Sequence, residues 1–386
     1  MEISSGVVLG MTAGLPAPHL ETAPPVGTPL AALEQAVLPG LLRPPCLVSF
    51  SGGLDSSLVL AVASRVARRE GLPLPVPVSW RFTNALQAQE SGRQVAVVRA
   101  LDLDDWSVLH ADDDLDLVGP VARRLLLRHG VVHPANLHLH LPILEAAAGG
   151  TALTGLGGDQ MLSGWRPPGL VARGRANPRR LVRDLVKAVV VPTQKRDEGK
   201  TFPWLLPEVS AARMRDLARE ELAEPRRLDR RMAWHIRRRD LALSVASMAA
   251  VAADVGAEAL HPLLDPGFLA ALSARAGRQR GAVRSRLLAL IADGELPAVV
   301  TARRGKARFL EVFLRAPTHE FVSSWDGAGT DPALVDAAAL RQAWSQWPIP
   351  GTSASLVQHL WLASRSTAPP AHQHPPPSAA VLETLA

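Results

Sequence analysis

The chain has 386 residues, one cysteine and no tyrosine, with 42 Lys and Arg against 36 Asp and Glu. One cysteine excludes an internal disulfide or a cysteine-rich zinc site, the missing tyrosine excludes a catalytic phenol, and no run approaches the ~20 apolar residues of a membrane span. The net charge of +6 and pI of about 10.5 suit an anionic partner such as nucleotide, acidic peptide or nucleic acid, or else reflect arginines on solvated helix faces.

The length predicts two to three domains. Residues 1–27 carry Pro, Gly and Ala without useful periodicity and read as a loose arm. No basic patch precedes an apolar core there, so no secretion signal is expected and the cytoplasm is the expected location. From Thr28 to Leu38, Leu30, Leu33 and Val37 recur at helical spacing, with Thr28 as cap and Pro39 and Gly40 as the end. Cys46–Phe50 then reads as a strand that is apolar without alternation, as when both sheet faces are covered.

Ser51 to Asp55 is a glycine loop, and a helix from Ser56 runs to about Arg69, stopped by Gly71. Gly52 and Gly53 let backbone N–H groups approach an anion, and the following helix adds its positive dipole end. Ser51, Ser56 and Ser57 add hydroxyls. Asp55 would repel phosphates unless a cation lies between, and Mg2+ satisfies both. The string SGGLDSS lacks the spacing of a Walker loop. It resembles the pyrophosphate loop of enzymes that split ATP into AMP and pyrophosphate.

Further along, Pro75–Phe82 is the second strand, Glu90–Ala100 a helix and Trp106–Leu109 a third, short strand. Asp112, Asp113, Asp114 and Asp116 read as a solvated loop and helix cap rather than a metal site, ahead of a helix over Leu117–Arg128. His138 and His140 could ligate a metal, line the nucleotide or substrate cleft, or cap a helix. Thr151–Thr154 is a fourth strand, followed by a second glycine loop with Gly157, Gly158 and Asp159. Asp159 could be a helix N-cap, but its pairing with Asp55 favours a shared Mg2+ site.

Strand–helix alternation over Cys46–Gly164 predicts a parallel, doubly wound sheet, whose ligands lie beyond the carboxyl ends of its strands. Past Pro167, Arg-rich segments (Arg173–Arg196, Arg226–Arg239) flank Phe202–Val209, and helix-rich sequence runs to about Arg365. The expected organisation is therefore an arm at 1–27, an ATP-binding α/β core at 28–165, a mainly helical lobe at 166–365 and a disordered Pro- and His-rich tail at 366–386.

Two more motifs, GAEALHPLLDPGFL (Gly256–Leu269) and LPAVVTARRGKARF (Leu296–Phe309), follow SGGLDSS and GLGGDQ. The four in this order resemble the synthetase domain of the asparagine synthetase family, over roughly Thr28–Trp361. The resemblance implies an adenine nucleotide alpha hydrolase-like fold and an ATP- and Mg2+-dependent amide ligase that forms AMP. It implies that Ser51, Gly52, Gly53, Asp55 and Ser56 hold pyrophosphate and Mg2+, with Ser57, Gly157 and Gly158 beside them. Asp159 would bind the metal, Glu258 would sit near the adenylate and the attacking amine, and Lys306 would stabilise charge on the phosphates or the tetrahedral intermediate.

Three departures shape the expected substrate. Position 2 is Glu and only about 50 residues precede the loop, so the family's glutamine-hydrolysing domain, with its nucleophilic Cys, is expected to be missing. Gln160 stands where an acid usually follows the second-loop aspartate. Leu260 stands where asparagine synthetases carry an Arg, which counts against free aspartate. The stretches AQES, HPANLHLHLPILEAA and FPWLLPE are similar to lasso-peptide cyclases, or macrolactam synthetases. That similarity implies a precursor peptide as substrate, with a leader-peptide-binding protein and a protease as partners. The alternatives are a ligase using ammonia supplied by another chain, a pyrophosphate-loop enzyme acting on tRNA, and an inactive nucleotide-binding scaffold. The single cysteine argues against tRNA thiolation, and an aromatic content of 4% is low for base stacking.

Overall fold

The computed structural model describes residues 27–83, 91–162, 202–277, 284–302 and 309–366. The expected arm before Gly27, Ala88–Glu90 of the AQES stretch, Ser163–Trp165, the Arg173–Arg196 segment, Lys306 and the tail from 367 onward lie outside the described residues.

Helix α1 (Pro29–Leu41) is capped by the Thr28 hydroxyl, which accepts from the Ala31 N–H at 3.2 Å. Contrary to expectation, α1 does not stop at Pro39. Beyond it, Leu42 N–H still reaches the Leu38 carbonyl at 3.1 Å, and Gly40 lets the last turn lie on the sheet. A Cβ on Gly40 would stand 2.8 Å from Leu153 Cδ2.

The chain continues through β1 (Cys46–Ser49), α2 (Leu54–Glu70), β2 (Val76–Phe82), α3 (Ser91–Ala100), β3 (Ser107–Ala111) and α4 (Pro120–His129). A 3-10 turn (Leu137–His140) leads into α5 (Leu141–Ala146), β4 (Thr151–Leu153) and α6 (Gly158–Met161). Then come α7 (Pro207–Ala223), α8 (Leu228–His235), α9 (Arg239–Asp254), β5 (Glu258–Leu260), α10 (Pro266–Ala276), α11 (Arg284–Ala292) and α12 (Ala298–Thr301). The last helices are α13 (Leu310–Phe313), α14 (Ala316–Ser324), α15 (Ala337–Trp344) and α16 (Ala354–Ser366).

The five strands form one parallel sheet in the order β3-β2-β1-β4-β5. The doubly wound reading is borne out, with one addition. The fifth strand lies inside the motif GAEALHPLLD, more than a hundred residues after β4, where three apolar-flanked residues carry too little pattern to read as a strand.

Strand residues alternate between two covered faces. Val48, Leu153 and Leu260 pack with α1, α2 and α10, while Leu47, Ala152 and Ala259 pack with α4, α5 and α9. A third apolar cluster, built on Trp204, Val312, Leu340 and Trp361, joins the final helices to Phe82 and Ala111 at the ends of β2 and β3.

The acidic run after β3 is a loop with Asp112 and Asp114 exposed, as expected, but it does not cap α4 and Asp116 is buried. Asp112 and Asp113 pair with Arg315 at 3.2 and 3.0 Å. Asp116 is fully buried and accepts from Thr318 Oγ1 and Arg315 N–H, each at 2.7 Å, and from Val118 N–H at 2.9 Å. Burial pushes the Asp116 carboxyl above its ordinary pKa, while these donors pull it back. The run therefore docks α14 onto the sheet. No described helix is long and apolar enough to cross a membrane.

Candidate active site

The strand order reverses direction between β1 and β4. Their carboxyl ends open the crevice in which parallel sheets of this kind bind ligands. The two glycine loops leave the sheet at that point, one after β1 and the other after β4.

The first loop is held from behind. Arg93, buried on α3, donates to the Gly52 carbonyl, and Gln94 Nε2 donates to the Ser51 carbonyl at 2.9 Å. Ser57 Oγ donates to the Gly53 carbonyl at 2.8 Å. With these carbonyls occupied, the loop is fixed, and Gly52 takes a φ of +85° that few other residues adopt. Helix α2 starts at Gly53 without a side-chain cap, which leaves its positive end for an anion. Ser57 is fully buried and braces the loop from below, so it does not reach outward as the sequence reading implied. Ser51 and Ser56 share a hydroxyl contact at 3.1 Å at the loop's rim.

The second loop closes on the first. Gly157 has a φ of +91°, and a Cβ there would meet Leu264 Cδ2 at 2.2 Å. Leu264 of the PLLD motif thus packs against the loop, while Asp265 of that motif caps α10 through Phe268 N–H at 2.9 Å. A Cβ on Gly158 would lie 2.1 Å from Asp55 Cγ, so only glycine lets the loops touch.

Between the loops stands Arg284, on the first turn of α11. Its guanidinium donates to Asp159 Oδ1 at 2.7 Å and, by the other amino group, to Asp55 Oδ1. Burial works against this charge, but the two carboxylates outweigh it and raise the pKa above the ordinary arginine value. Nothing in the sequence around Arg284 singled it out among so many arginines. Two carboxylates that converge on one cation also fit a hard divalent ion, which Asp55 and Asp159 would hold. Among the described residues, no group of three or more His, Cys, Asp or Glu is placed to hold a metal by itself.

The geometry does not bring Glu258 to this site. In the parallel register Thr151 pairs with Glu258 and Leu153 with Leu260, so Glu258 begins β5 at the amino edge of the sheet. There its carboxylate pairs with Arg43 at 3.0 Å, both side chains about half exposed. Lys306 lies outside the described residues. The preceding Ala302 carbonyl accepts from Arg93 Nη1 at 2.8 Å, tying that segment's start to the first loop.

His138 and His140 diverge. His138 is buried between the Leu115 and Ala135 carbonyls, edge-on to Phe313, and serves packing. His140 turns to the sheet edge and meets Ser49 Oγ at 3.2 Å. Cys46 is buried in β1, and burial pushes its thiol up to about 12, which removes it from nucleophilic chemistry.

Fold and paired loops together define an α/β protein of the adenine nucleotide alpha hydrolase-like class. The asparagine synthase family model matches residues 31–365, and the chain belongs to that family. Its activity is accordingly that of an ATP-dependent amide ligase that forms AMP. No curated protein matches the sequence.

Proposed function

We propose that this ligase adenylates a side-chain carboxylate of a precursor peptide and that the peptide's own amino terminus attacks, closing a macrolactam. The observation that carries the adenylation half is the meeting of Asp55 and Asp159 around one cation at the reversal point of the sheet. In this reading Ser51, Gly52, Gly53, Ser56, Gly157 and Gly158 cradle the pyrophosphate portion of ATP, and Asp55 and Asp159 hold Mg2+. The metal, when bound, neutralises charge on the phosphates. The role that the family resemblance implies for Lys306 in this reading is to stabilise charge on the phosphates or the tetrahedral intermediate.

The peptide half is supported by the residue that replaces the family's arginine. Leu260 packs against the core beside Gly40 and Leu153 and offers no charge to a substrate group. A side chain without charge at that position favours a substrate other than a free amino acid. The local likeness of the HPANLHLHLPILEAA and FPWLLPE stretches to macrolactam synthetases points the same way. Sulfur transfer to tRNA gains no support, because the single thiol is buried.

Incubation with ATP, Mg2+ and a precursor peptide encoded beside the enzyme tests the proposal by mass spectrometry. Loss of one water from the peptide with AMP release is the expected result. Asparagine formed from aspartate and ammonia would reject it.

A further inference from the structure

Ser49, the last residue of β1, and Thr154 and His261, each one step past the ends of β4 and β5, continue the paired register in a row at the carboxyl edge. They lie on the sheet face that carries α4, α5 and α9, opposite the face covered by α2. His140, at the end of the 3-10 turn on that same side, contacts Ser49. The row borders the second glycine loop directly, since the Leu156 N–H of that loop donates to Thr154 Oγ1 at 3.2 Å.

Two tautomers of His261 satisfy its contact with Thr154, whose hydroxyl oxygen has two acceptor lone pairs. Thr154 Oγ1 accepts from Leu156 N–H, and it lies 2.7 Å from His261 Nδ1. When the hydroxyl gives its own proton to that contact, Nδ1 is the acceptor. In a neutral imidazole the ring proton then resides on Nε2. That Nε2 is enclosed and has no hydrogen-bond partner, although the residue as a whole is only partly buried. Burial keeps both rings neutral, with the neighbouring imidazoles adding to it at His140, since His140 and His261 are each held well below the ordinary histidine range. A buried donor with no acceptor is costly unless a ligand completes it.

We propose that His261 Nε2–H is a neutral hydrogen-bond donor to the acyl oxygen of the carboxylate as it is adenylated and then attacked, with Thr154 fixing the tautomer as a positioning residue. This inference rests on the adenylating function above and assigns that site its acyl-oxygen subsite. The aspartates that would hold a metal belong to the glycine loops, whereas the row lies on the opposite face of the sheet from α2. A neutral donor suits an oxygen that is uncharged in the acyl adenylate and gains charge only when the amine adds.

The test pairs two substitutions that keep different atoms of the ring. His261→Gln keeps a donor near the Nε2 position, and His261→Asn keeps only the contact to Thr154. The first readout is amide formation from the precursor peptide, with ATP turnover measured alongside. The expected result is a loss of about 10²-fold in kcat for His261→Asn, with the KM for ATP unchanged and partial recovery in His261→Gln. The second readout is the histidine 15N spectrum of the full chain with 5′-O-(N-acetylsulfamoyl)adenosine as probe. A neutral Nε2–H tautomer whose proton moves downfield on adding the probe is expected. Wild-type kcat in His261→Asn, an Nδ1–H tautomer, or a proton that ignores the probe would overturn the assignment. These outcomes are separable from failure of the adenylating function itself, in which the unaltered chain would release no AMP.

Discussion

Gly158 and Asp55 meet where the two glycine loops touch, and a methyl group on Gly158 would overlap the carboxyl carbon of Asp55 at 2.1 Å. The contact is far inside van der Waals range, so Gly158→Ala must displace the Asp55 carboxylate or part the loops. The expected outcome is a fall of at least about tenfold in kcat/KM for ATP, corresponding to ~1.4 kcal/mol of transition-state stabilisation. ATP–pyrophosphate exchange measures it. Unchanged exchange with intact folding would show that the loops need not stay in contact.

Arg284 spans the two aspartates, so each of them competes for a charge that a divalent ion must also meet. Replacing Asp159 by Asn removes one partner of the ion and should raise the Mg2+ concentration for half-maximal activity at saturating ATP. Replacing Asp55 by Asn should remove measurable exchange. A Mg2+ titration of initial rates distinguishes these effects. An Asp159→Asn enzyme with the wild-type Mg2+ requirement would place the metal elsewhere.

Arg93 is a strut rather than a ligand. Its guanidinium binds the carbonyls of Gly52, Val300 and Ala302, joining the first loop to the segment that leads to Lys306. Arg93→Met leaves two buried acceptors, the Gly52 and Val300 carbonyls, with fewer donors and should cost about 3 kcal/mol in denaturant unfolding. The KM for ATP should rise as well, because the loop loses its backing. A stable variant with a normal KM would reduce Arg93 to a packing residue.

His140 and His261 each have pKa values lowered to about 4, in both cases chiefly by burial. Between about pH 4 and 6.5 the unfolded chain therefore takes up protons that the folded chain refuses, and stability falls as pH drops through that window. The loss is at most on the order of 3 kcal/mol per histidine. Urea unfolding at pH 7 and pH 4.5 should show a smaller drop for the His140→Asn/His261→Asn double variant than for the parent chain. Equal drops would mean that these rings are not the groups responsible.

The sheet was legible because its central strands are unbroken apolar runs followed by glycine, a pattern that only a twice-covered parallel strand shows. The two loops were legible for the same reason, and Asp55 and Asp159 came with them. Pairing partners supplied at a distance were not legible. Arg284 lies 229 residues from Asp55, and no local pattern marks it. Arg315 turns an acidic run into a dock, again from about 200 residues away. Glu258 was picked by its motif, yet the strand register puts it at the far edge. Three residues later the same motif carries His261 past the carboxyl end, a difference that only the register of β5 against β4 decides.

That late fifth strand also dictates an order of assembly on the ribosome. When Leu153 has emerged, the edge of β4 that β5 will cover is bare, and it stays bare until the chain reaches Glu258, about a hundred residues later. At roughly 5–20 residues per second, the nascent half-sheet waits on the order of ten seconds with an apolar margin open to other chains. Truncation anywhere between these two strands should release a fragment with that edge unpaired and prone to self-association.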